Sequence, residues 1–452
     1  MNAVAPITKS VSTNPLKTSA PLGAALAWLG VDGAVPLFHG SQGCTAFALV
    51  LLVRHFKEMI PLQTTAMNEV STIVGGADHV EEALLNLKKR MNPRFIGICS
   101  TALTETRGED FVGDLRLIRA RREAELEGTE VAFASTPDFS GAMEEGWAKA
   151  VAATIEALVP AGQSGTVKGQ VNVLAGLHLS PADAEALRDM IESFGLKPII
   201  LPDLSCALDG AVADEWRATA RGGVTVEEIA AMGRSKATLV IGEHMRAPGQ
   251  TLEQRTGVPS LWFDHLTGIE ACDRLCVELA HLGHCSVPPR LRRERARLVD
   301  VMLDGHFFFA GRKMAVAAEP DLLLATTRLM NDLGAEISAA ITTTPGSKAL
   351  TQVPAREVLV GDLGDLEARA KGADLIATHS HGRQAAERLH VPHLRIGFPI
   401  FDRLGAAYRR SALYDGSRQA IFEIANLFQA AHREVTPDSL NPFLLRQKEM
   451  RA

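Results

Sequence analysis

VPLFHGSQGCTAFALVLLVRHFKE, residues 35–58, is the stretch on which the reading of this chain turns. A short apolar run of strand character ends in His39-Gly40-Ser41-Gln42-Gly43, and Cys44 follows at the mouth of a strongly apolar helix. A strand, a glycine-bearing turn and a helix start form the half of a βαβ unit at which α/β proteins hold ligands. Gly40 and Gly43 allow positive φ and let main-chain N–H groups approach a large anionic ligand closely. Helix N-termini favour anionic side chains, and the thiolate is the form of cysteine that binds iron. The residues alone leave three roles open for Cys44: ligand of a metal or cluster, structural residue, or reactive thiol. A phosphate could use the same geometry.

Outward from this stretch, short apolar runs alternate with helical-period segments from about residue 92 to the end, the pattern of parallel βαβ units. Strands are expected at Phe95–Cys99, Val131–Ala134, Gln170–Ala175, Pro198–Leu201, Thr238–Ile241, Lys313–Ala317, Glu336–Ile341, Glu357–Val360, Asp374–Ala377 and Leu394–Ile396. Ser180 as N-cap with Pro181 behind it opens a helix that Gly195 closes. The Gly-rich segment Ala161–Gly169 reads as a linker, and a Pro-Pro pair leads into an Arg-rich run that reads as a long joining helix. The fold class is α/β, with three doubly wound, Rossmann-like domains of mostly parallel sheet. They divide as 1–162, with the candidate cysteine, 163–297, with the joining helix, and 298–452, with a C-terminal helix.

Composition narrows the function. With 452 residues the chain exceeds what one core fills. A net charge of -6, 5% aromatic residues and two tyrosines argue against a nucleic-acid partner. The polar N-terminus lacks a signal-peptide core, and the longest apolar run, Ala46–Val53, is too short to span a bilayer, so a cytoplasmic location is expected. Six cysteines in such a chain are not a disulfide framework.

Other motifs have plainer readings. Cys99, at the end of an apolar strand, reads as a core residue, and Cys206, in an apolar loop without a nearby His or Cys, as core or inert. Cys272, Cys276, His281, His284 and Cys285 form a dense group without zinc-site spacing and read as a packed helix face, with a second metal site as the alternative. His379, His381 and Arg383 follow a strand and precede a helix. A surface loop is the plain reading, and contact with a cluster intermediate or an acidic ligand the sharper one. Gly75-Gly76-Ala77-Asp78 fits no phosphate-loop pattern, and Asp78 reads as an N-cap. No Ser-His-Asp order, HExxH motif or carboxylate pair supports hydrolase chemistry, and no complete active site is visible.

Several strings carry a family resemblance. Pro21-Leu22-Gly23-Ala24, HGSQGC at 39–44, Arg54-His55-Phe56, Gly75-Gly76, Ser100-Thr101 with Gly108-Glu109-Asp110, and IGFPIFDR at 396–403 resemble motifs of the nitrogenase β-chain. With them nearly the whole chain resembles the nitrogenase component 1 group. In that resemblance Glu69 matches an acidic position near the cluster pocket. The β-chain supplies three cysteines to its P-cluster; the matching positions here are Ser19, Cys44 and Ala102. Alanine ligates nothing and serine poorly replaces a thiolate, so a P-cluster held as in the enzyme is not expected.

One retained cysteine resembles instead the branch of the family that assembles the iron–molybdenum cofactor. This implies an α2β2 heterotetramer with NifE, in which NifE gives three thiolates and Cys44 the fourth to a [4Fe-4S] cluster at the interface. Gly40, Ser41 and Gly43 then lie around it. The resemblance also implies that NifE mainly holds the cofactor precursor and that NifB or a carrier donates it. The nitrogenase iron protein, NifH, brings electrons, molybdenum and homocitrate, and apo nitrogenase component 1 accepts the product. Rival readings are an active β-chain, a subunit of light-independent protochlorophyllide or chlorophyllide reductase, and a metal-free sugar- or nucleotide-binding protein.

Overall fold

The computed structural model describes residues 3–431 other than 7, 8, 10, 11, 69, 70, 73, 74, 109, 164, 213 and 214. Glu69 and Glu109 therefore lie outside the described residues. Three parallel sheets carry the chain. The first, in order β3-β2-β4-β5, comprises β2 (Ala34–His39), β3 (Gln63–Thr64), β4 (Phe95–Ser100) and β5 (Glu130–Ala134). The second, β7-β6-β8-β9, comprises β6 (Gln170–Leu174), β7 (Lys197–Leu201), β8 (Thr238–Ile241) and β9 (Ser260–Phe263). The third, β1-β12-β11-β10-β13-β14, comprises β10 (Lys313–Ala318), β11 (Glu336–Thr342), β12 (Glu357–Val360), β13 (Leu375–Thr378) and β14 (His393–Arg395). Its edge is β1 (Ala3–Ala5), paired in register Ala3↔Glu357, so the first described residues join the last sheet.

Every expected strand is present to within one residue at each end. They were legible because both faces of a parallel sheet are covered, which turns each strand into an unbroken apolar run. All six residues of β2 and all six of β4 are buried. The short strands β1, β3 and β9 carried too little pattern. The joining helix runs from Pro289 to Phe309, longer than the Arg-rich stretch alone, and the Phe309 ring meets Phe428 edge-on at 6.1 Å. One expectation fails: the helix Ala77–Met91 is capped at Gly76, and Asp78 lies inside its first turn, where a carboxylate favours the dipole without capping. Among the described residues no helix is long and apolar enough to cross a membrane.

Close packing behind the first sheet fixes the region of interest. Helix α1 (Ala20–Leu29) crosses a helix at Met143–Leu158 with backbones in contact. A Cβ on Gly146 would sit 1.8 Å from the Ala20 carbonyl oxygen, and one on Gly23 would sit 2.0 Å from that of Met143. Trp28 fills the layer between helix and sheet. Its Nε1 donates to Thr154 Oγ1 at 3.0 Å, and its ring occupies the space that a side chain at Gly97 of β4 would need.

This crossing generates a stability prediction. Gly146→Ala forces the backbones apart and lowers unfolding free energy by about 1–3 kcal/mol. Gly346→Ala, where a Cβ meets nothing within 4 Å, changes it by no more than about 0.5 kcal/mol. Denaturant unfolding of the two variants checks this, and equal midpoints would contradict the crossing.

Candidate metal centre

Strand β2 ends at His39, and helix α2 (Gln42–Phe56) begins behind an extended Ser41, which makes Cys44 its third residue. The turn between them is held by a threonine network. Thr101 and Thr104 hydroxyls donate to the His39 carbonyl at 3.1 and 3.2 Å. Thr65 Oγ1 accepts the Gly40 N–H at 3.1 Å and lies 3.1 Å from His39 Nδ1. Burial pushes His39 down to about 4, so the ring is neutral. Neither Gly40 nor Gly43 uses the positive φ that glycine allows. Gly40 is required by close approach instead, since a Cβ there would lie 2.5 Å from Thr101 Oγ1. Gly43 sits in the first turn of α2 and faces open space, with nothing within 4 Å of a would-be Cβ.

Cys44 is exposed, with Ser41 Oγ 3.5 Å from its sulfur. It lines a groove of about 300 Å³ together with Ser19, Phe47, Thr101, His379 and His381. Ser19 caps α1, and Ala102 opens the helical turn Ala102–Glu105, so the positions matching the three P-cluster ligands all stand at helix starts. Only one of them offers sulfur. Cys99 adds none, because its thiol is buried in β4 against the carbonyls of Pro21 and Leu37, and burial pushes its pKa well above the ordinary value. The donor set thus fits one corner of an iron–sulfur cluster and does not fit a whole one.

The back of α2 explains why two strings far apart in sequence occur together. Thr45, Ala48, Leu52 and Phe56 are buried on its inner face. The loop at 396–403 grips its C-terminal end: the Ile400 N–H donates to His55 Nδ1 at 2.9 Å, the Arg54 guanidinium lies 4.0 Å from the Phe401 ring, and Phe56 faces Phe398 at 6.4 Å. Burial lowers His55 to about 4, which keeps Nδ1 an acceptor. The outer face of α2 remains uncovered, with Phe47 70%, Val50 50% and Val53 40% exposed.

Other sequence candidates separate. His379 and Ser380 are buried and not in a surface loop; His379 Nε2 meets the Leu16 carbonyl at 3.2 Å, and Ser380 hydrogen-bonds Asp402, itself paired with Arg395 at 2.8 Å. The reason is that this segment follows β13 directly into the groove. His381 is exposed beside Cys44, whereas Arg383 turns away to Glu387 at 3.5 Å. Cys272 and Cys276 pack inside the helix Ile269–Gly283, with Tyr414 Oη 3.5 Å from Cys276 Sγ, while His281, His284 and Cys285 are exposed and do not join them. Cys206 is exposed in the loop that follows β7, which excludes the core half of its reading and leaves the inert one. Sequence reasoning missed a group of half-buried His178 and His244 with buried Asp321, whose ligand atoms lie within 4.8 Å of one another. Its one signal was a repeated strand-Gly-x-His, Gly176-Leu177-His178 after β6 and Gly242-Glu243-His244 after β8.

The arrangement recurs in known proteins. The chain is 57% identical over 442 residues to the nitrogenase iron-molybdenum cofactor biosynthesis protein NifN of Mesorhizobium japonicum, covering 98% of this chain and 96% of that one. It is 39% identical over 433 residues to the NifN of Klebsiella pneumoniae, covering 94% and 93%. A solved structure titled "Nitrogenase Cp1 at pH 6.5" superposes with a TM-score of 0.90 at 29% identity over 96% of each chain. A second chain, titled "Nitrogenase Cp1 at pH 5", shares the fold at a TM-score of 0.68 and 13% identity, over 95% of this chain and 92% of that one. The sequence profile of the nitrogenase component 1 type oxidoreductases spans residues 19–429, from the cap of α1 through the Cys44 turn to the last described helix, and the chain belongs to that family.

Proposed function

We propose that the chain is a scaffold subunit for assembly of the nitrogenase iron–molybdenum cofactor, whose biosynthesis its relatives are named for, and that it works in an α2β2 complex with NifE. Cys44 supplies one thiolate to a [4Fe-4S] cluster at the interface and the partner the other three. Gly40 holds the turn, Ser41 lies beside the sulfur, and Gly43 leaves room for the cluster to come close. When bound, the cluster would pass single electrons between the donor protein and the maturing cofactor. The precursor itself rests mainly on NifE. NifH delivers electrons, molybdenum and homocitrate, NifB or a carrier delivers the precursor, and apo nitrogenase component 1 takes the product.

The carrying observation is the pairing of one outward sulfur with an uncovered apolar helix. A soluble chain that leaves Phe47, Val50 and Val53 in water along one helix gains from a partner that covers them. A four-iron cluster wants four ligands, and one thiolate on such a face leaves the others to that partner. An active β-chain is disfavoured by Ser19 and Ala102, which remove two of its three sulfurs.

Two outcomes are expected. Cys44→Ala leaves the complex assembled but removes iron approaching one four-iron cluster per chain pair, together with its reduced-state EPR signal; unchanged iron and spectrum would refute the ligand assignment. The double change Phe47→Asp with Val50→Asp weakens association by at least about 2 kcal/mol while leaving the chain folded. Size-exclusion chromatography reads this, and an intact heterotetramer would place the partner elsewhere.

A further inference from the structure

In the second sheet the order reverses between β6 and β8, and in the third it reverses between β10 and β13. Ligands of doubly wound sheets bind beyond such reversals. The two reversals meet. His178 follows β6, His244 follows β8, and Asp321 lies in the first turn of the helix Pro320–Asp332 that follows β10. We propose that this junction is a site for one divalent transition-metal ion of the zinc, ferrous or cobaltous class, with His178 and Asp321 as ligands and His244 as the group that positions Asp321.

Hydrogen bonding assigns these parts. Both ring nitrogens of His178 are buried without a partner, and so are Asp321 Oδ1 and Glu319 Oε1. Buried donors and acceptors nearly always have a partner, so these atoms are open to a ligand. His244 is occupied on both sides. Its Nδ1 lies 2.5 Å from Asp321 Oδ2, and its Nε2 accepts the Leu177 N–H at 3.1 Å. It therefore holds the carboxylate from behind, as outer partners of metal ligands do.

Charge and space agree with this. Glu144, Glu319 and Asp321 are enclosed together, and among the described residues no lysine or arginine forms an ion pair with any of them. Buried carboxyl groups are paired, metal-bound or protonated. Asp321 is the one that matters here, since His244 holds it through Oδ2 and leaves it open at Oδ1. Glycines clear the approach: a Cβ on Gly242 would lie 2.6 Å from Asp321 Oδ2, and one on Gly176 would lie 2.8 Å from the His178 ring. His178, Glu144 and Glu319 line a cavity of about 150 Å³ that reaches the His178 side of the junction and has room for water. Imidazole and carboxylate donors without a thiolate select a borderline transition metal over calcium or copper(I).

Cobalt(II) alone serves as the probe on the purified complex. The expected result is one cobalt per chain, with an anomalous scattering peak at bonding distance from His178 and Asp321. His178→Asn lowers cobalt affinity roughly tenfold or more, while Lys371→Ala, on the exposed surface outside this site, binds cobalt as the parent does. No peak at the junction, or equal binding by an assembled His178→Asn complex, overturns the proposal. If His178→Asn fails to fold, the cobalt map of the parent complex decides alone.

Discussion

A residue can complete a metal centre held mostly by another chain only if its backbone is rigid from behind and open in front. Helix α2 meets both conditions through unrelated contacts. Behind it, the threonine hydroxyls on the His39 carbonyl and the Gly40–Thr101 approach fix the start of the helix. The Ile400–His55 hydrogen bond and the Arg54–Phe401 stack fix its end. In front, apolar side chains stand in water. Neither set of contacts involves the Cys44 sulfur, so the helix is placed whether or not a ligand is bound. That is the pre-organisation a ligand supplied to a shared centre requires.

Much of this was legible before the structure. The parallel strands announced themselves as continuous apolar runs, and the HGSQGC and IGFPIFDR strings marked segments that are in contact in space. What the sequence could not convey was why they belong together, because nothing local in His55 or Ile400 says that one bonds the other across 345 positions. The glycines show a related limit. Gly40 reads from sequence as allowing positive φ and a ligand's close approach, whereas the group that leaves no room for a Cβ there is Thr101, a neighbour 61 positions away (101 − 40). The edge strand β9 escaped notice although the equally short β8 did not, because three of its four residues are only half-buried where all four of β8 are buried.

The loop at 378–383 was misjudged on similar grounds. Its polarity suggested the surface, yet His379 and Ser380 are buried because the third sheet aims the end of β13 at the Cys44 groove. Polar residues beyond strand ends are enclosed wherever two sheets point at one another. The same principle hid His178, His244 and Asp321, whose only sequence trace was a repeated Gly-x-His. Both cases favour weighing a motif by its position relative to a sheet reversal over its composition.

The central claim, that Cys44 completes a cluster carried largely by a second subunit, is tested most directly by iron-edge anomalous diffraction from crystals of the assembled complex. The account predicts a four-iron centre at the subunit boundary with one iron about 2.3 Å from the Cys44 sulfur, a normal metal–thiolate length. Iron confined to the partner's interior, with that sulfur free, would contradict it.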